Sequence, residues 1–139
     1  FEAYLEANGM GNGIANDDSV TTSNINTITS LNISSKAISD LTGIEDFTSL
    51  SILYCYSNQL TSLDLSNNTS LTALECYFNQ ITNLNLTQNI ALTNLQCAQN
   101  SLTSLDVSQN TALTQLGCKV NQLTSLDLRN GNNQNLLKF

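Results

Sequence analysis

From Ile28 onward the chain alternates apolar and polar residues in short bursts, and the bursts recur. Leu53, Leu74, Leu95 and Leu116 are each followed two places later by a cysteine, Cys55, Cys76, Cys97 and Cys118, and three places after that by Asn58, Asn79, Asn100 and Asn121. Each series steps by 21 residues, so the unit is L-x-x-L-x-C-x-x-N-x-[LI]. A half-period echo follows in LTSLDLSNN from Leu60, ITNLNLTQN from Ile81, LTSLDVSQN from Leu102 and LTSLDLRNG from Leu123. In both halves every second residue is apolar, the period of a strand with one buried face. The pattern therefore predicts two short extended segments per coil, joined by asparagine-rich corners such as SNNTS (66–70) and SQNTA (108–112), whose side chains bond nearby backbone.

A variant unit, ITSLNISSKAISDLTGIEDFTSL, precedes the regular ones. Its Leu31, Ile33 and Ile38 match Leu53, Cys55 and Leu60, while Lys36 stands at the asparagine position. Ahead of it, Phe1, Tyr4 and Leu5 have helical spacing, with Asn8 and Gly9 as a stop. Residues 1–27 are expected to cap the open end of a stack formed by 28–139, because the outermost unit of a repeat array needs a solvated outer face. The last unit carries Gly131 at the corner asparagine position and finishes on Leu136, Leu137 and Phe139, which suggests a chain that continues.

Composition narrows the chemistry. With 139 residues, 40% of them apolar, the chain fits one domain with a filled core. Eleven acidic against four basic residues give a net charge of −7, which disfavours a nucleic-acid partner. No apolar run approaches the roughly 18 residues of a membrane span. Histidine, tryptophan and proline are absent, removing the usual general base near neutral pH and the usual zinc ligand set. No nucleophile and base pair stands out, so an enzyme is not expected, and no cofactor or metal is implied.

These units resemble the strand segment of leucine-rich repeat proteins over roughly residues 28–135. The 21-residue form, with a cysteine in the strand and LDLSxN after it, is similar to a bacterial subclass found in internalin-type adhesins. FEAYLEANGMGNG and SDLTGIEDFTSL resemble the start of secreted cell-surface proteins of the Bacteroidetes group. The resemblance implies a leucine-rich repeat solenoid, mostly β, right-handed, with a small N-terminal helical cap. It further implies export, an extracellular or outer-surface location and a longer chain of the type IX secretion route. With strands on both sides, equal spacing front and back predicts a weakly curved stack of about five coils rising roughly 4.8 Å each.

Within such a stack the cysteines point inward as small apolar side chains, and four reduced, buried thiols are expected. Zinc would need converging ligands, whereas these sulfurs lie in file. Disulfides are disfavoured because in-register neighbours hold Cβ atoms near 4.8 Å and a disulfide wants about 3.8 Å. The amides of Asn58, Asn79, Asn100 and Asn121 are expected to satisfy backbone groups freed where each strand turns, and Asn68, Asn89 and Asn110 to serve the second corner. Asp64, Asp106 and Asp127 alternate outward with Asn85 between them, and a solvated face explains them better than calcium. GNGIANDDS (11–19) lacks the calcium-loop spacing.

Information about partners must then sit in the variable outward positions. Tyr54, Tyr56, Glu75, Tyr77, Phe78, Gln96 and Lys119 are the candidate binding residues, with three tyrosines and a phenylalanine on adjacent coils. Such a cluster can anchor a protein or stack on a sugar, or it can serve only to stabilise the sheet. The function expected is a non-catalytic extracellular interaction module binding protein or glycan. The alternative is a structural spacer or secreted cargo segment of a larger surface protein, and an accessory domain of a surface enzyme has the least support. Asp18-Ser19-Val20 looks like the D-[ST]-aliphatic acceptor for O-linked glycans in Bacteroidetes-group exported proteins, with Ser19 the acceptor.

Overall fold

Each regular unit places one leucine between two outward residues, and that triplet is the strand. A computed structural model describes residues 1–14, 17 and 19–128. Strands β1 (Ser30–Asn32), β2 (Ile52–Tyr54), β3 (Ala73–Glu75), β4 (Asn94–Gln96) and β5 (Gln115–Gly117) form a single parallel sheet in sequence order. Leu31, Leu53, Leu74, Leu95 and Leu116 pair rung on rung at the buried centre of the strands. The repeat length is thus the length of one turn of chain, set by the register of the sheet.

Pairing extends beyond the triplets. Cys55 N donates to Glu75 O at 2.9 Å, Cys76 N to Gln96 O at 2.8 Å and Cys97 N to Gly117 O at 2.7 Å. Ser35, Ser57, Phe78, Gln99 and Val120 then take left-handed backbone angles, φ between 52 and 57°. This residue swings each coil off the sheet towards the asparagine position, and in the first coil Ala37 takes the same region as well, at φ 55°.

The second segment of each coil does not form a strand, contrary to the two-sheet expectation. Its start still bonds between coils, as in Gln80 N to Leu60 O at 2.9 Å, Ser101 N to Ile81 O at 3.0 Å and, further on, Thr82 N to Thr61 O at 3.3 Å. Beyond that point the segment bends on its own polar side chains. Asp64 Oδ1 accepts from Ser66 N at 3.0 Å, Asn85 Oδ1 from Thr87 N at 3.1 Å and Asp106 Oδ1 from Ser108 N at 2.8 Å. These local bonds compete with a ladder for the same backbone groups. The alternation nevertheless holds, with Leu63, Leu65, Leu84, Leu86, Leu105 and Val107 buried. Apolar periodicity reports which side faces the core, and here it does so without sheet pairing.

At the N-terminal end α1 (Glu2–Ala7) stops at Asn8, and Gly9 follows at φ 71°. A second short helix, α2 (Thr22–Ile25), buries Ile25. Leu5 joins the same core, Phe1 packs on Phe47 with ring centroids 6.0 Å apart, and the Tyr4 hydroxyl donates to Asn32 O at 2.9 Å. In the variant unit a 3-10 turn, Ile44–Asp46, occupies the corner and the step from β1 to β2 is 22 residues rather than 21. Lys36 lies with its ammonium 6.0 Å from the Tyr4 ring.

The candidate binding face and the ladders behind it

Three files of side chains hold the coils in register. Asn79 Nδ2 donates to Cys55 O at 3.1 Å and to Cys76 O at 3.0 Å, while its Oδ1 accepts from Leu60 N. Asn100 and Asn121 repeat this one and two coils on, and Asn58 makes the same bridge back to Ile33 O. At the other corner Asn68 donates to Ile44 O and Phe47 O, Asn89 to Leu65 O and Asn68 O, and Asn110 to Leu86 O and Asn89 O. A third file escaped the sequence reading. The hydroxyls of Ser51, Thr72, Thr93 and Thr114 each donate to the carbonyl one coil earlier, on Thr29, Ser51, Thr72 and Thr93, at 2.9 to 3.1 Å. Its signal was present as a hydroxyl residue every 21 positions, immediately after the first leucine of each unit.

Cys55, Cys76 and Cys97 are buried and free. Burial pushes the Cys55 and Cys97 thiols up to about 12, and pushes Cys76 well above its ordinary value, with smaller contributions from Cys55 and Cys97 on either side. Cys118 departs from the expectation of four buried thiols, being only half-buried, because β5 has a described strand on one side alone. Among the described residues no three His, Cys, Asp or Glu side chains are grouped to hold a metal ion. Asp64 and Asp106 are exposed, and the backbone N–H groups of Ser66 and Ser108 hold their carboxyls below the usual range.

Outward from these files lies the variable face. Tyr56 and Tyr77 stack with centroids 4.5 Å apart and planes within 5°, and Phe78 meets Tyr77 edge to face at 5.6 Å. The stack follows from register, since both tyrosines follow a strand cysteine on neighbouring coils. Tyr54, Tyr56 and Tyr77 are half-buried, whereas Phe78 is 51% exposed. Burial chiefly, and then the charges of Tyr56 and Glu75, push the Tyr77 hydroxyl above its usual range. Glu75 is in register with Tyr54 on one side and Gln96 on the other. Gln96 donates to Asn94 Oδ1 at 2.8 Å and lies across Gly117, where an added Cβ would run into its amide oxygen. Lys119, exposed, stands two rungs beyond Tyr77 in the same column and does not join the aromatic group. The left-handed position of Phe78 and Val120 was invisible beforehand, since Ser, Phe, Gln and Val share no feature that marks it.

Ser19 is exposed and its N–H donates to Asp17 Oδ1 at 3.0 Å; Asp18, the first residue of its motif, lies outside the described residues. The Glu6 carboxylate gathers the nearby loop through Asn12 N and Gly13 N. A cleft of about 690 Å³ between α1 and the first corner, lined by Phe1, Glu2, Leu5, Asp40 and Asp46 among others, shares no lining residue with the aromatic group.

Structural comparison settles the architecture. The functional domain of InlJ from Listeria monocytogenes, described as including a cysteine ladder, superposes with a TM-score of 0.72 and 40% identity over 86% of this chain. The chain has an internalin-like leucine-rich repeat fold. The internalin InlF of Listeria monocytogenes matches this fold with a TM-score of 0.74 and 28% identity over 87% of the chain. A leucine-rich repeat protein of Leptospira interrogans, at 22% identity and a TM-score of 0.72 over 83% of the chain, shares the leucine-rich repeat architecture. Internalin J of Listeria monocytogenes serotype 4b (strain F2365) is 47% identical over 51 residues, 37% of this chain. The chain spans only 6% of that protein, and covers 31, 36 and 31% of the three solved leucine-rich repeat chains respectively. No family model matches it. Among the described residues no helix is long and apolar enough to cross a membrane.

Proposed function

We propose that this chain is a non-catalytic interaction module of an exported surface protein, presenting its strand face to a protein or glycan. The observation that carries this reading is the group of Tyr56, Tyr77 and Phe78. Phe78 is half exposed at a backbone position, φ 55°, that favours glycine or asparagine. Nothing in the interior rewards a phenylalanine there, which fits a side chain kept for contact with something outside. Tyr54, Glu75, Gln96 and Lys119 complete the proposed face. The asparagine and cysteine files are its scaffold, residues 1–27 its cap and 28–139 its repeat array. The likeness to internalins supports an extracellular or outer-surface location and a longer parent protein. Carriage by the type IX route, Bacteroidetes-group origin and glycan attachment at Ser19 rest on sequence resemblance.

A second reading has its own observation. The parallel rings of Tyr56 and Tyr77 are a cross-strand pair of the kind that stabilises sheets, about 0.2–1 kcal/mol each, as a spacer would use them. Replacing Tyr54, Tyr77 and Phe78 by serine separates the two. Capture of ligands from cell-surface extracts and glycan arrays is expected to fall sharply while the circular dichroism spectrum is retained. Phe78→Ser alone guards against a folding defect, and unchanged capture by both variants would leave the spacer reading standing.

A further inference from the structure

We propose that the aromatic face receives an arginine side chain from a basic segment of a protein partner, its guanidinium lying as the next plane beyond the Tyr56–Tyr77 stack with Glu75 as counter-charge. This deepens the binding-module reading and rests on it.

Glu75 carries the inference. Most described carboxylates are engaged, as Glu2, Glu6, Asp17, Asp40, Glu45, Asp64 and Asp106 all accept hydrogen bonds from the chain. The Glu75 carboxylate has no hydrogen-bond or ion-pair partner among the described residues, and Glu75 sits within the sheet face whereas Asp46 lies at the exposed first corner. A carboxylate whose acceptor sites are unused within the chain is free to take a charge-assisted pair from a partner's cation.

Its surroundings suit one cation best. Glu75 closes β3 and Tyr77 follows two residues on, where bonding between coils continues through Cys76 N to Gln96 O and Ser57 N to Tyr77 O, so the extended alternation puts both on one face. After Tyr77 the next rung of that column is Ala98, reached by the bond from Phe78 N to Ala98 O at 3.1 Å, so no third ring continues the stack. A planar group about 4.5–5 Å beyond Tyr77 would sit over that methyl group, near Glu75 and the polar Gln96. Guanidinium is planar, stacks on aromatic faces and pairs with a carboxylate through two parallel N–H donors, whereas ammonium is a compact and strongly hydrated point charge. The described lysines do not fill the place. Lys36 is spent on Tyr4, and Lys119 lies two rungs past Tyr77, about 10 Å away along the stack. The net charge of −7 favours encounter with a basic partner.

The test is a two-dimensional NMR titration of the intact chain with the peptide acetyl-Gly-Arg-Gly-Arg-Gly-amide and its citrulline counterpart, isosteric but uncharged. The arginine peptide is expected to give saturable shifts centred on Glu75, Tyr77 and Ala98. Binding should weaken by about ten-fold with citrulline and by about five-fold or more in Glu75→Gln, the scale of one charge-assisted pair. Asp46→Asn, which makes the same change in net charge, should stay within about two-fold. Equal binding of the citrulline peptide, equal loss in Asp46→Asn, or shifts centred elsewhere overturn the proposal. So does a face that responds to methyl glycosides or to a second copy of the chain but not to the peptide. If arginine fails while the serine variants still lose capture, the binding face stands and only its occupant is wrong.

Discussion

The side-chain amide of Asn89 donates to the backbone carbonyl of Asn68 at 3.0 Å, across a gap of 21 residues in the chain. Its other donor reaches Leu65 O, so one buried side chain ties together two turns of backbone. Both carbonyls keep a second donor, from Asn68 N and Leu71 N. Asn89→Ala is therefore expected to lower stability by about 1–3 kcal/mol rather than abolish folding. Loss of its Oδ1, which has no partner among the described residues, offsets part of that cost. Urea denaturation measures it, and a change below about 0.5 kcal/mol would contradict the bridging role.

The thiols differ in access. Cys118 is half-buried while Cys55, Cys76 and Cys97 are sealed in the core, so a thiol reagent added to native protein should modify Cys118 first. The other three should react only at the rate at which coils open, and all four after denaturation without any reductant. Mass spectrometry of labelled peptides reads the order, and early modification of Cys76 would be incompatible with this packing.

Alkaline pH should unfold the stack. The folded Cys55 and Cys97 thiols are raised from 9.0 to about 12, so they stay protonated where the unfolded chain ionises. The unfolded state then binds fewer protons, and stability falls as pH rises. The contribution is intact below pH 9, and is lost progressively up to about 12 at about 1.4 kcal/mol per pH unit for each thiol. Thermal melts between pH 8 and 11 should show the slope, and Cys55→Ala should flatten it by one thiol's share.

Val120 holds φ 56° while 65% exposed, an arrangement that a branched side chain adopts only under constraint. Val120→Gly is expected to raise stability by about 0.5–1 kcal/mol. Phe78→Gly should gain less, because it also gives up the edge contact with Tyr77, and it should weaken ligand binding as it relaxes the backbone. Denaturant midpoints of the two variants check both statements. A loss of stability in Val120→Gly would mean that the side chain packs against something the backbone angles do not reveal.

The register of the sheet was readable because Leu53, Cys55 and Asn58 belong to three files that repeat with a single period, and one period means one turn. Identity of residue type carried that signal. Where type varies it was silent, as at Ser57, Phe78 and Gln99, which share a backbone angle imposed by the turn and not by their side chains. The second segment misled because alternation marks a buried face, whereas strand pairing also needs free backbone donors, and Asp64 and Asp106 take up the N–H of Ser66 and Ser108. The outward positions show their character, aromatic beside acidic, but a face built from five neighbouring turns becomes a surface only once the register joins them.

Because every bridging amide and hydroxyl reaches across one full turn, the molecule can be lengthened only in whole units. A duplicated 21-residue block spliced between β3 and β4 meets the same carbonyls, thiols and amides it left behind, whereas a block one residue shorter shifts every bridge at once. Among the described strands the 22-residue step falls in the unit carrying the 3-10 turn at Ile44–Asp46, where an irregular corner absorbs the slack. Growth by copying is the route this architecture leaves open, and each new copy adds a fresh set of outward positions without disturbing the old ones.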